Sequence, residues 1–273
     1  MDKPHIAFIG AGNMASSIIG GLIESGHPPE LISAADPFAE SLERLAATAP
    51  VTLCTDNAEA AANADVVILA VKPQVMAEAT NSIARAVRAK RALVISIAAG
   101  VTITSMQARL GPQAAIVRCM PNTPALLGCG ATALFGNNHV SVSQREQAEA
   151  ILGAVGITCW VPTEKALDAI TALSGSGPAY FFLFMEAMID AACDLGLDRQ
   201  TATAMTLQTA LGSARMANES DVDLIELRRR VTSPAGTTER AVKSFEDKGL
   251  RKLVAAALHA AADRAAEMAK EMG

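Results

Sequence analysis

Residues 5–24 read HIAFIGAGNMASSIIGGLIE, and this stretch decides the fold. A short apolar run, His5 to Ile9, gives way at Gly10-Ala11-Gly12 to a segment, Asn13 to Glu24, whose apolar residues recur at helical spacing. Gly10, Gly12 and Ala15 form G-x-G-x-x-A directly between a strand and a helix. In that setting the first glycine permits a tight turn and the second lets backbone approach a pyrophosphate. The alanine allows the helix to lie close on the sheet, with its free N–H groups facing the phosphate. A lone match is only a tight turn; the repeated alternation of strand and helix patterns downstream gives it weight.

Outward from that turn, short β-branched runs alternate with amphipathic ones: LISAA, VTL, DVVILAV, ALVISIAA and AIVRCM, then a strand ending in FGNN, a helix from Ser143 to Val155 and the apolar GITCWV. This is the rhythm of βαβ units and a parallel sheet. After Pro162 strand patterns vanish and apolar residues recur at helical spacing to the end. Ser176-Gly177-Pro178 opens one helix, Gly196 and Asp198 separate two more, Ser233-Pro234 precedes another and Gly249 ends it. The expected fold is therefore α/β. A Rossmann-type doubly wound sheet over residues 1–162 binds a dinucleotide, and an all-helical domain spans 163–273. Apolar faces on so many Ala-rich helices leave a large patch unless copies associate or the helices bury one another.

Composition narrows the function classes. The 273 residues carry a net charge of −5 without a basic block, which offers no footprint for nucleic acid or an anionic membrane surface. Hydrophobic residues make up 51% and aromatics 3%, so packing rests on aliphatic side chains, with Met185, Met188, Met205 and Met216 read as core filling. Cys54, Cys119, Cys129, Cys159 and Cys193 show no metal or disulfide spacing, which fits a reducing compartment. No signal-peptide pattern opens the chain, and a cytoplasmic location is expected. The apolar stretch Ala179 to Met185 is far shorter than the ~20 residues that span a bilayer, and reads as a core helix.

Several residues have two readings. Asp36, at the end of the second strand, suits hydrogen bonds from an adenosine ribose and repels a 2′-phosphate, or caps the helix after Pro37. Lys72 and Pro73 follow the apolar strand Val66 to Val71 at the carboxyl end of the sheet, facing phosphate or opening a solvated helix. In SPAGTT, residues 233–238, backbone N–H groups and hydroxyls at a helix start suit an anion, or Ser or Thr followed by Glu239 forms an ordinary N-cap. The small residues of SGSGPAY admit a cofactor or let two helices cross. Arg228, Arg229 and Arg230 read as a solvated face, and no histidine falls within a Gly, Pro or Thr-rich motif.

Taken in order, FIGAGNMA, LAVKPQ, VISIAAGVT, RCMPNTPAL, LSGSGPAYFF and VTSPAGTT resemble pyrroline-5-carboxylate reductases across the whole chain. The resemblance implies reduction of L-1-pyrroline-5-carboxylate to L-proline with NADPH or NADH, by homodimers that assemble into larger rings such as decamers. It implies that Gly10, Ala11, Gly12, Asn13 and Met14 hold the pyrophosphate. Asn57 meets the adenosine side, Ala70, Val71, Lys72 and Pro73 line the cofactor groove, and Asn122 and Pro124 approach the nicotinamide, whereas at the end of the second strand, where many relatives carry Ser, Thr, Asn or Arg, this chain has Asp36. Val231, Ser233, Gly236, Thr237 and Thr238 hold the substrate, with Ser233 and Thr238 as the catalytic pair and Thr238 near the ring nitrogen. Ala235 stands where the family usually has glycine.

Two rivals remain. A 3-hydroxyacid dehydrogenase would place a lysine on the first long C-terminal helix, yet no lysine lies between Lys165 and Lys243. A dinucleotide sensor without turnover would not need the hydroxyls of SPAGTT.

Overall fold

The computed structural model describes residues 3–272. Elements alternate in the first part: β1 (Ile6–Ile9), α1 (Asn13–Glu24), β2 (Ile32–Ala35), α2 (Ala39–Ala46), β3 (Thr52–Cys54), α3 (Asn57–Ala61), β4 (Val66–Leu69), α4 (Met76–Lys90), β5 (Leu93–Ser96), α5 (Ile103–Leu110) and β6 (Ile116–Met120). Then come β7 (Gly130–Gly136), α6 (Val142–Gly153) and β8 (Gly156–Trp160). One eight-stranded sheet results, in the order β3-β2-β1-β4-β5-β6-β7-β8. The order reverses between β1 and β4, and Ile9 pairs with Ala35 on one side and Leu69 on the other.

Strand residues alternate between two cores, as the two-residue period of a strand requires. Ile6 and Phe8 join Ile32, Val66, Ile68 and Ile95 beneath α1 and α6, while Ala7 and Ile9 join Val67, Leu69 and Val94 beneath α4 and α5. One strand departs from the expected parallel pattern: β7 runs antiparallel to β6, although β8 is again parallel to β7. Residues 121–129, which link β6 to β7, hold only a short 3-10 turn, too little chain for the crossover that a parallel neighbour needs.

After the sheet the chain is helical: α7 (Ala166–Ile170), a π-helical turn (Thr171–Gly175), α8 (Gly177–Asp194), α9 (Arg199–Glu219), α10 (Leu224–Arg230), α11 (Thr237–Asp247) and α12 (Leu250–Met272). Contacts divide the protein into two compact units, one holding the residues through Ser176 and those from Ala260 onward, the other Gly177–His259. The sequence boundary at 162/163 marks the end of the sheet, whereas contacts keep α7 and the π-turn with the sheet unit.

In the second unit the expectation of a buried core helix is corrected. Phe181 is 71% exposed, Phe182 63% and Leu183 66%, and Met188, Met205 and Met216 are exposed as well. Only Gly177, Ala202 and Thr206 are fully buried among that unit's described residues. Phe184 and Phe245, with ring centroids 6.1 Å apart, join α8 to α11. A single chain has too few aliphatic layers here to cover both faces of its own helices, so surface that periodicity assigns to a core stays open. Among the described residues no helix is long and apolar enough to cross a membrane.

Candidate functional site

The site in the sheet unit is built at the carboxyl ends of β1, β2 and β4. Gly10 takes φ +98°, and a Cβ placed on it would lie 2.5 Å from the Ala70 carbonyl oxygen. Only glycine fits where β1 turns against the end of β4. The Gly10 N–H donates to the Ala35 carbonyl at 2.7 Å, tying the turn to β2 as well. Gly12 is the N-cap of α1 and receives no side-chain cap, while a Cβ there would meet nothing within 4 Å. The start of α1 is thus uncapped, with open space beside Gly12, which suits a pyrophosphate. Ala15, 1% exposed, lets α1 close on the sheet, and Asn13 and Met14 form its first turn.

Asp36 is held by two backbone amides. The residue is 8% exposed; Oδ2 accepts from the Ala11 N–H at 2.8 Å and Oδ1 from the Phe38 N–H at 2.9 Å. It braces the glycine turn and its own turn, and does not cap α2, whose N-cap is Phe38. Asn57 opens α3 behind the N-cap Asp56, and its Nδ2 donates to Ser82 Oγ on α4 at 3.1 Å. β4 ends at Leu69, so Ala70 and Val71 belong to the turn after it, beside Gly10. Lys72 is exposed in extended backbone before a 3-10 turn that Pro73 opens.

Asn122 and Pro124 lie in the link from β6 to β7. Asn122 Oδ1 accepts from the Ala131 N–H at 2.9 Å, and its Nδ2 donates to the Ser174 carbonyl at 3.1 Å. The side chain thereby joins the start of β7 to the π-turn, where a Cβ on Gly175 would lie 2.6 Å from Met120 Cε. Such turns recur at functional sites.

Sequence reading missed a buried ion pair in this unit. Arg118, 5% exposed on β6, pairs with Glu164 Oε1 at 3.0 Å, and the same oxygen accepts the Ile103 N–H at 2.8 Å. Nearby, burial pushes the Asp168 carboxyl above its ordinary value, opposed by the Arg118 charge. An arginine inside an otherwise apolar strand was the available signal.

The substrate residues expected from SPAGTT sit in the helical unit. α10 ends at Arg230, Ala235 takes φ +59°, and Gly236 is the N-cap of α11 without a side-chain cap. Glu239 reaches back to accept from the Ala235 N–H at 2.8 Å. An ordinary Ser or Thr cap is therefore not what these hydroxyls form. Among the described residues Ser233, Thr237 and Thr238 make no side-chain hydrogen bonds. Val231 is 59% exposed. The arginine run is a solvated face, with Arg229 and Arg230 paired to Glu226 and Arg228 to Glu246. The backbone at Ala235 adopts the left-handed region that glycine favours, so alanine is strained here and nothing in the structure explains its presence.

Known proteins match both parts. Residues 5–100 match the family described as NADP oxidoreductase coenzyme F420-dependent, and residues 164–268 that described as pyrroline-5-carboxylate reductase dimerisation. A pyrroline-5-carboxylate reductase of Pseudomonas aeruginosa is 54% identical over 273 residues, all of both chains. The structure is similar to a pyrroline-5-carboxylate reductase from Coxiella burnetii, at a TM-score of 0.95 and 45% identity over 98% of this chain and 99% of that one. It also resembles the Plasmodium falciparum pyrroline carboxylate reductase with NADP bound, at a TM-score of 0.86 and 30% identity over 98% and 99% of the two chains.

Proposed function

Since the chain belongs to the pyrroline-5-carboxylate reductase family, we infer that it reduces L-1-pyrroline-5-carboxylate to L-proline with NADPH or NADH. The observation that carries this reading is end-to-end identity at 54% with a reductase. The open cradle at Gly10 and Gly12 fits a dinucleotide, because a Cβ at Gly10 would collide while space beside Gly12 is free.

When bound, the reduced nicotinamide supplies the hydride that the imine carbon takes up. In our reading Gly10 to Met14 hold the pyrophosphate through backbone and the start of α1, and Ala70 to Pro73 wall the groove. Asp36 and Asn57 lie toward the adenosine, and Asn122 and Pro124 toward the nicotinamide. Val231, Ser233, Gly236, Thr237 and Thr238 form the substrate loop. The N–H groups at the uncapped start of α11 suit the substrate carboxylate. The Thr238 hydroxyl, in the first turn of α11, orients the ring nitrogen, with Ser233 in the turn that precedes the helix. A cyclic iminium carries its own proton, so a strong general acid is dispensable and catalysis rests on positioning.

The protein is a homo-oligomer acting on a small molecule. We assign dimerisation to the exposed apolar faces of α8 and α9, with dimers assembled into a larger ring such as a decamer. Residues 1–162 act as the dinucleotide domain and 163–273 as the substrate and dimerisation domain. Five unpaired cysteines support a cytoplasmic location.

The test is oxidation of NADPH and of NADH, each followed by absorbance, on adding pyrroline-5-carboxylate to the purified protein. Turnover falling about a hundredfold in Thr238→Ala, with dinucleotide affinity unchanged, is the expected outcome. Dinucleotide binding without turnover on either cofactor sinks the assignment.

A further inference from the structure

We propose that Asp36 sets a preference for NADH over NADPH and acts at the same time as a positioning residue for the pyrophosphate turn, an inference that rests on the reductase reading for its cofactor. Three observations lead to it. The carboxylate follows Ala35 at the carboxyl end of β2, beside Gly10, whose N–H bonds the Ala35 carbonyl at 2.7 Å. In a Rossmann fold this is the end that meets the adenosine ribose. Next, both oxygens are held by backbone amides, those of Ala11 at 2.8 Å and Phe38 at 2.9 Å. A free aspartate turns aside from an incoming anion; this one gives up two hydrogen bonds to do so. Finally, no lysine or arginine lies between Asp36 and Arg44, and Arg44 Nη2 is directed to Ser41 Oγ at 3.2 Å.

Each carboxylate oxygen accepts more than one hydrogen bond, so a fixed Asp36 receives the ribose 2′-hydroxyl while still bonded to its amides. A 2′-phosphate brings a second anion to a carboxylate that stays in place, with no cation in the turn to offset it. The two duties separate by substitution. Asp36→Asn removes the charge and keeps an acceptor for one amide; Asp36→Ala removes both and loosens the turn.

The experiment uses the intact oligomer and two non-reacting probes, ADP and its 2′-phosphorylated counterpart, with binding measured by calorimetry beside kcat/KM for NADH and NADPH. The wild type is expected to bind ADP about tenfold or more tightly than the 2′-phosphorylated probe, and to use NADH with a similar advantage. Asp36→Asn is expected to shrink that ratio about tenfold, chiefly by tighter binding of the phosphorylated probe. Asp36→Ala is expected to weaken both probes, and Glu40→Gln, one turn away on α2, to leave the ratio alone. A wild type that binds the phosphorylated probe equally or better overturns the proposal, as does a ratio that Asp36→Asn does not move. A probe ratio as expected without turnover on pyrroline-5-carboxylate supports Asp36 and overturns the reaction instead.

Discussion

Asn122 Nδ2 stands 3.1 Å from the carbonyl oxygen of Ser174, fifty-two residues further along the chain, and makes the β6 to β7 link and the π-turn one piece. Its Oδ1 accepts the Ala131 N–H in the same posture, so the amide orientation is set by both partners. A residue proposed to face the nicotinamide is thus also a brace for the turn that carries Ser174 and Gly175.

Asn122→Ala leaves a carbonyl and an N–H without their partners, at about 1–3 kcal/mol for buried groups. We expect a lower melting temperature and a kcat/KM reduced about tenfold, with KM for pyrroline-5-carboxylate rising more than dinucleotide Kd. Thermal melts and steady-state kinetics check this; an unchanged melting temperature counts against the brace.

Gly10→Ala places a methyl 2.5 Å from the Ala70 oxygen at φ +98°. The obstacle is Ala70 backbone, which has no flexible end to move, and a stability loss of about 2 kcal/mol or more is expected together with loss of dinucleotide binding. Gly20→Ala is the contrast, since nothing lies within 4 Å of its Cβ in α1. There a gain of about 0.5–1 kcal/mol is expected from helix propensity. Denaturant melts of the two variants should move in opposite directions.

Ala235 holds φ +59° in the loop proposed to hold the substrate. Relief of that conformation by Ala235→Gly is expected to stabilise by up to about 1 kcal/mol after the entropy of glycine is counted, while Ala235→Val destabilises by at least as much. Melting temperatures of the pair, with kcat beside them, test whether the strain is structural or serves turnover.

His27 is buried, and burial first, then the Lys3 charge, hold its imidazole below the ordinary value of 6.5. Among the described residues its Nε2 has no hydrogen-bond partner. The unfolded chain therefore binds the proton that the fold refuses, so stability rises with pH through this window and falls as pH drops below about 6.5. His27→Gln is expected to flatten the decline in melting temperature between neutral and mildly acid pH; an equally steep decline in the variant assigns it to other groups.

Much of the site was legible locally. The helix expected over Asn13 to Glu24 is α1 to the residue, because glycines before it and Ser25 after it bound an apolar period. The strand expected to reach Val71 stops at Leu69, where Ala70 turns to meet Gly10, a boundary set by a neighbour rather than by propensity. Helix α6 begins at Val142 and not Ser143, since Ser141 and Gln144 close a capping box one residue earlier. The reading of SPAGTT as a Ser or Thr cap gave way to Gly236 as the cap, a choice made by the backbone at Ala235.

Local pattern was enough to set the alternation of strands and helices and the glycine turn between β1 and α1. Those follow from periods of two and 3.6 residues and from glycines whose conformations other residues avoid. Folding in three dimensions was needed for Asp36 to place both oxygens on amides, for Asn122 to reach Ser174, for Arg118 to meet Glu164, and for β7 to run backward. Each depends on groups distant in sequence brought within hydrogen-bond range by sheet order and link length, and no local pattern encodes such a meeting.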